Sequence, residues 1–170
     1  PLDMMVYAAL QASGFAKERV IGMAGELDGA RLKFELARAS GKEISSMRSA
    51  IVGPHSEEMI ALKNELGFEI SDEIFDRAVQ NTKRAGAQIG ELLGMSAYLA
   101  PAAGIVKIIK YILFDTCGTL ACCVADRSGV PLGRFVSVGK MGAIERNFAY
   151  SGEFYEQLER MRERIAELKF

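Results

Sequence analysis

One histidine and one acid–arginine pair are the residues of this chain best placed for acid–base chemistry. His55 is the only histidine among 170 residues, and it sits in the turn Val52-Gly53-Pro54-His55-Ser56-Glu57-Glu58. An imidazole titrates at about pH 6.5, so near neutrality it both gives and takes a proton. Loops held by a rigid scaffold are common seats for such groups. Asp28 and Arg31 stand three apart in Glu26-Leu27-Asp28-Gly29-Ala30-Arg31 at the start of an expected helix, and so share a face. A carboxylate can accept a hydrogen bond from one imidazole nitrogen, which sets the tautomer and raises the pKa. A guanidinium can grip a carboxylate through two parallel hydrogen bonds. A solvent-facing turn histidine and a surface ion pair worth about 0–1 kcal/mol account for the same residues. Spacing alone leaves both readings open.

Other chemistries lack their residues. There is no G-x-G-x-x-G and no G-x-x-x-x-G-K-[ST] to cradle a phosphate, so the chain by itself is not expected to bind a dinucleotide tightly. No G-x-S-x-G, H-E-x-x-H or C-x-x-C occurs, and with one histidine and cysteines at 117, 122 and 123 no metal site is expected. Cys122 and Cys123 alternate on an expected strand, so at most one should face a core, as a small buried hydrophobe. Three cysteines, two of them adjacent, suit a reducing compartment, and a cytoplasmic location is expected.

Composition narrows the class further. Lys+Arg of 21 against Asp+Glu of 22 gives a net charge of −1, with no basic footprint for nucleic acid and no polybasic membrane patch. Apolar residues at 49% and charged residues at 25% are ordinary for one globular domain spanning 1–170. The longest apolar run, Ala97 to Phe114, is broken by Pro101, Gly104, Lys107 and Lys110. A bilayer span needs roughly 18–20 uninterrupted apolar residues, so no membrane segment is expected. The first ten residues carry no positive charge, as a secretory signal would require. The chain begins at Pro1 without an initiator Met, which reads as a piece of a longer or processed protein.

These candidates need elements to hold them. Apolar spacing predicts helices over 2–13, 27–39, 72–93, 97–113 and 151–170, with Gly14 and Gly41 as C-terminal stops and Ser71 as an N-cap. Strands are expected over 17–23, 46–52, 119–125, 134–138 and 143–149. They cluster after Thr119 and do not alternate regularly with helices. This points to an α+β fold, with long helices packed on a mainly antiparallel sheet.

Four stretches, read together, resemble a known family. Pro-Leu-Asp-Met-Met (1–5), Ala-Ser-Gly-Phe-Ala-Lys-Glu-Arg-Val-Ile-Gly-Met (12–23), Leu-Asp-Gly-Ala-Arg-Leu (27–32) and Val-Gly-Pro-His (52–55) are similar to the C-terminal, substrate-binding half of the lactate/malate dehydrogenase family. Ser-Ala-Tyr-Leu-Ala-Pro-Ala-Ala (96–103) looks like a later helix of its lactate-dehydrogenase-like malate dehydrogenases. The resemblance implies an oxidoreductase half that interconverts malate and oxaloacetate by hydride transfer. His55 is then the proton donor and acceptor, Asp28 its paired acid, and Arg31 the clamp on the substrate carboxylate, with Ser96 beside the substrate. It also implies NAD (or NADP), bound mainly by an N-terminal nucleotide-binding half, and a homo-oligomer (dimer or tetramer) using the helices at 27–39 and 72–93. Where the family usually has Gly-Asp after the histidine, this chain has Ser56-Glu57. That departure admits a second expectation: a stand-alone carboxylate-binding or oligomerisation domain of the same descent.

Overall fold

The computed structural model describes residues 2–168. Helix α1 (Leu2–Ser13) is followed by a 3-10 turn at Lys17–Arg19 and helix α2 (Gly25–Ser40). A minimal hairpin, β1 (Ile51–Val52) with β2 (Ile60–Ala61), frames the histidine turn. Two long helices follow, α3 (Asp72–Leu93) and α4 (Leu99–Phe114). Then come β3 (Gly118–Ala125), β4 (Pro131–Gly139), β5 (Gly142–Glu145) and helix α5 (Gly152–Ala166). The last three strands form one antiparallel sheet in the order β3-β4-β5, with Cys122 opposite Arg134 and Val138 opposite Ala143. The fold is the expected α+β class.

Local chemistry explains the helix ends. The Ser71 hydroxyl accepts from the Ile74 amide at 3.4 Å, and the Ser151 hydroxyl accepts from the Phe154 amide at 3.4 Å. Each satisfies one of the amides a helix start leaves unpaired. Helices α2 and α3 end on glycines with left-handed backbone, Gly41 at φ +69° and Gly94 at φ +65°.

Four packed regions share the interior of the described residues. Leu32 and Leu36 of α2 meet Ile51, Leu66 and Phe75. Helix α5 lays Phe154, Leu158 and Met161 against Leu132 and Phe135 of β4 and Val52 of the hairpin. On the other side of the sheet, Ile108 of α4 covers Leu120, Cys122, Val136 and Val138. The expectation that only one of Cys122 and Cys123 could be buried is therefore wrong. Both are fully buried, Cys122 under α4 and Cys123 against Val6 of α1 and Ala24. Alternation sends them to opposite faces, and helices cover both faces. Burial pushes the Cys122 thiol up to about 12.

Several expected strands are shorter than the pattern implied. Over 17–23 only Gly22 pairs, exchanging two 2.8 Å backbone hydrogen bonds with Cys123 before the chain turns into α2. Over 46–52 only Ile51–Val52 is strand, because Ile44–Ser46 coils into a 3-10 turn. Strand β5 stops at Glu145, although the Arg146 amide still donates to the Phe135 carbonyl at 3.0 Å. Beyond it Phe148 and Tyr150 turn inward as a ring stack against Phe135 and Phe154, and the Tyr150 hydroxyl accepts from the Phe135 amide at 3.0 Å. The helix expected over 97–113 runs from Leu99 to Phe114. Residues 169 and 170 of the last expected helix lie outside the described residues. Among the described residues no helix is long and apolar enough to cross a membrane.

Candidate active site

The turn that carries His55 is built on backbone contact. Gly53 has φ +85°, a left-handed conformation that favours glycine, and exchanges hydrogen bonds of 2.8 and 3.0 Å with Gly133 of β4. A Cβ on Gly133 would come within 2.4 Å of the Gly53 carbonyl oxygen. The two glycines thus let the turn dock directly on the sheet. Pro54 follows, and Ser56 closes the turn: the Met59 amide donates to its carbonyl at 3.1 Å and the Glu58 amide to its hydroxyl at 3.1 Å. Glu58 then reaches Arg160 of α5 at 3.2 Å. The turn is held from β4 on one side and from α5 on the other.

Helix α2 brings the acid and the arginine. Its first turn is buried from Gly25 to Gly29, and Gly29 is pressed so close to Ser49 that a Cβ would lie 2.0 Å from the hydroxyl. Glu26 ties the same turn to Lys107 of α4. This places Asp28, only 1% exposed, under His55. The His55 ring Nδ1 lies 2.6 Å from Asp28 Oδ2. With a carboxylate as the neighbour, Nδ1 carries the proton and donates, leaving Nε2 free to exchange a proton with a substrate. The backbone amide of His55 donates to Asp3 Oδ2 of α1 at 3.0 Å.

Electrostatics follow from these contacts. The hydrogen bond to Asp28 raises the His55 pKa above its usual value, and burial of the ring works against it. The negative charges of Asp28 and Asp3 add to the rise, while the charge of Arg31 opposes it. Arg31 Nη1 stands 3.5 Å from Asp28 Oδ1, at the outer limit of a hydrogen bond. No other hydrogen bond uses the Arg31 guanidinium among the described residues, so most of its donor fork is available. A Cβ on Gly86 of α3 would lie 3.5 Å from Arg31 Nη1, so α3 forms the wall behind it.

Three of the four expected site residues therefore converge: Asp28, Arg31 and His55. Ser96 lies in the exposed link between α3 and α4 and makes no hydrogen bond to these three among the described residues. Gly53 belongs to the Gly-Pro turn visible in the sequence, whereas Asp3, Gly29 and Gly133 carry no role from the sequence alone. The one legible sign was an acid on the buried side of α1, three residues before Val6.

The arrangement is a carboxylate–imidazole pair beside an open guanidinium, on helices packed over an antiparallel sheet in an α+β fold. Residues 25–169 match the model of the lactate/malate dehydrogenase, alpha/beta C-terminal domain, and the chain belongs to that family. Among curated relatives, a malate dehydrogenase from a Nitratiruptor species is 38% identical over 157 residues, covering 85% of this chain and 49% of the relative. Malate dehydrogenase 2 of Aquifex aeolicus is 34% identical, covering 84% of this chain and 47% of the relative. The chain thus spans about half the length of the curated relatives it matches. Among solved structures, the malate dehydrogenase of Plasmodium falciparum in complex with NADH superposes with a TM-score of 0.92 at 25% identity, over 98% of this chain and 62% of that one. The malate dehydrogenase of Salinibacter ruber gives 0.88 at 29% identity, over 98% of this chain and 59% of that one.

Proposed function

We propose that this chain is the substrate-binding and catalytic half of an NAD-dependent 2-hydroxyacid dehydrogenase acting on malate and oxaloacetate. The observation that carries the reading is the convergence of residues 27 positions apart on one spot: His55 Nδ1 at 2.6 Å from buried Asp28, with Arg31 beside them. Malate dehydrogenases among the relatives and structural neighbours favour malate over lactate.

In the oxidative direction, His55 Nε2 takes the hydroxyl proton while Asp28 stabilises the resulting imidazolium through Nδ1. In the reductive direction, the same imidazolium donates its proton to the carbonyl oxygen. Its raised pKa keeps that acid form populated toward neutral pH. Arg31 binds the substrate carboxylate with its unused donors and so orients the carbon that exchanges hydride. When bound, the nicotinamide supplies the hydride acceptor or donor. The described residues fit only the substrate side of that exchange: among them no helix starts on a glycine-rich phosphate turn. Ser96 is proposed to line the substrate side from the α3–α4 link.

Residues 1–170 form one substrate-binding domain in this reading, completed by a dinucleotide-binding half. NAD is preferred to NADP, the NADH complex of the Plasmodium neighbour supporting it. Three free cysteines support a cytoplasmic location. A homo-oligomer is supported by the apolar residues that α3 and α4 leave exposed, among them Leu92, Leu99, Leu113 and Phe114.

The decisive test joins the chain to a dinucleotide-binding half and follows NADH consumption. Oxaloacetate is expected to be reduced faster than pyruvate. Equal inactivity toward both acids, in a preparation that folds and binds NADH, overturns the reading.

A further inference from the structure

Asp3 takes no part in the proton transfer or the substrate binding proposed above, yet its carboxylate lies inside the protein against the histidine turn. It sits in the first turn of α1 and is 5% exposed. A helix start favours an acid through its dipole, but a solvent-facing acid would serve equally. Removing a carboxylate from water is unfavourable unless donors replace the lost hydration. Asp3 Oδ2 has one such donor, the backbone amide of His55 at 3.0 Å, 52 residues away in sequence. Its Oδ1 is buried with no nitrogen or oxygen partner among the described residues. The carboxylate also faces Cys123 of β3, whose thiol is held well above its ordinary range by burial first and the Asp3 charge second.

We propose that Asp3 is a positioning residue for His55, anchoring the histidine turn through its backbone amide and presenting a second buried negative charge to the imidazole. The charged groups around that ring are few. Asp28 and Arg31 face it from α2, and Asp3 from α1. On its own turn Glu57 is exposed, and Glu58 is paired with Arg160 of α5. Asp28 acts through a hydrogen bond to the ring, whereas Asp3 meets His55 only at its backbone amide. Its charge and its acceptor oxygen therefore reach His55 by different routes, which separates its two roles experimentally. The catalytic consequence rests on His55 being the proton-transfer residue; the positioning itself does not.

Because His55 is the only histidine, NMR titration of this chain reads one imidazole without assignment by mutation. Asp3→Asn keeps an oxygen acceptor and removes the charge. It is expected to lower the imidazole midpoint, by less than Asp28→Asn does, and to leave the His55 amide protected from hydrogen exchange. Asp3→Ala is expected to lower the midpoint and also to speed exchange of that amide. A wild-type midpoint in Asp3→Asn overturns the electrostatic role. Wild-type amide protection in Asp3→Ala overturns the anchoring role. If Asp3→Ala does not fold, the isosteric Asn variant still tests the charge. In the joined enzyme, the pH profile of kcat/KM is expected to follow the NMR midpoint of Asp3→Asn. A midpoint that moves while the profile stays put leaves Asp3 in place and removes His55 from proton transfer.

Discussion

Helix α2 carries the same acid–arginine spacing twice, about two turns apart. Glu35 and Arg38 close to 2.7 Å, whereas Asp28 and Arg31 stand 3.5 Å apart. By geometry alone the first is the better ion pair. It has no imidazole beside it, and the Arg38 side chain is 63% exposed where that of Arg31 is 16% exposed. Glu35 Oε2 accepts from Arg38 and from Asn81 of α3 at 2.8 Å. Burial works to raise the Glu35 carboxyl, and the hydrogen bonds from Asn81 and Arg38 outweigh it, leaving the group below its ordinary range. That carboxylate is a strut between two helices. Asp28 instead gives one oxygen to His55 and a marginal contact to Arg31. The two pairs differ in their neighbours: Asp28 meets an imidazole, whereas Glu35 meets the Asn81 amide of α3.

Replacing His55 should have the largest effect. In the joined enzyme, His55→Asn removes the proposed proton donor and should lower kcat by roughly 100- to 10,000-fold, the usual contribution of general acid–base catalysis. A variant that keeps most of its kcat would dissolve the distinction between the two ends of α2. Arg31→Ala comes next. It forfeits charge-assisted hydrogen bonds worth about 1.5–3 kcal/mol, so kcat/KM for oxaloacetate should fall roughly 10- to 150-fold. Substrate KM measured beside Arg38→Ala makes the contrast direct, since Arg38 should leave turnover untouched.

Packing at the buried end gives a third measure. Gly29→Ala drives a methyl into Ser49 and should cost about 1–3 kcal/mol, read by denaturant midpoint at constant m-value. A neutral result would mean that α2 can slide, and that Asp28 is less firmly placed than its burial implies.

A subtler effect lies in pH. The folded pKa of His55 is raised above its unfolded value of about 6.5. A raised pKa means that the folded state binds the proton more tightly. Its contribution is therefore full below about pH 6.5 and is lost as pH rises through the folded pKa. Wild-type stability measured against His55→Asn should show an advantage that shrinks across that window. An advantage that grows with pH would reverse the sign and place the ring in a different environment. The smallest change should come from Arg38→Ala, at most about 0.5 kcal/mol of stability.

The helices were legible because their signals are local. The apolar repeat of 72–93 matches α3 residue for residue, and Ser71 caps it as its hydroxyl predicts. The three late strands were also visible, since β3 and β4 are long enough for β-branched and small residues to accumulate. The hairpin around His55 was not, because two-residue strands carry no alternation. Ser56-Glu57 suggested an altered turn, yet Ser56 closes it with its own carbonyl and hydroxyl. The burial of both Cys122 and Cys123 was misread because a sequence shows which faces alternate and cannot show which are covered.

By itself the sequence determined the α+β class, the long helices, and a short set of residues able to move a proton or hold an acid. Asp28, Arg31 and His55 are side-chain chemistry, and chemistry is written residue by residue. Their meeting was decided only by tertiary structure, through Gly53 against Gly133, Gly29 against Ser49 and Asp3 beneath the His55 amide. Those contacts join segments far apart in the chain, and no local pattern encodes a distance between them. The same holds for the two arginines of α2: their spacing from an acid is identical in sequence, and only folding sets Arg31 near an imidazole and leaves Arg38 in solvent.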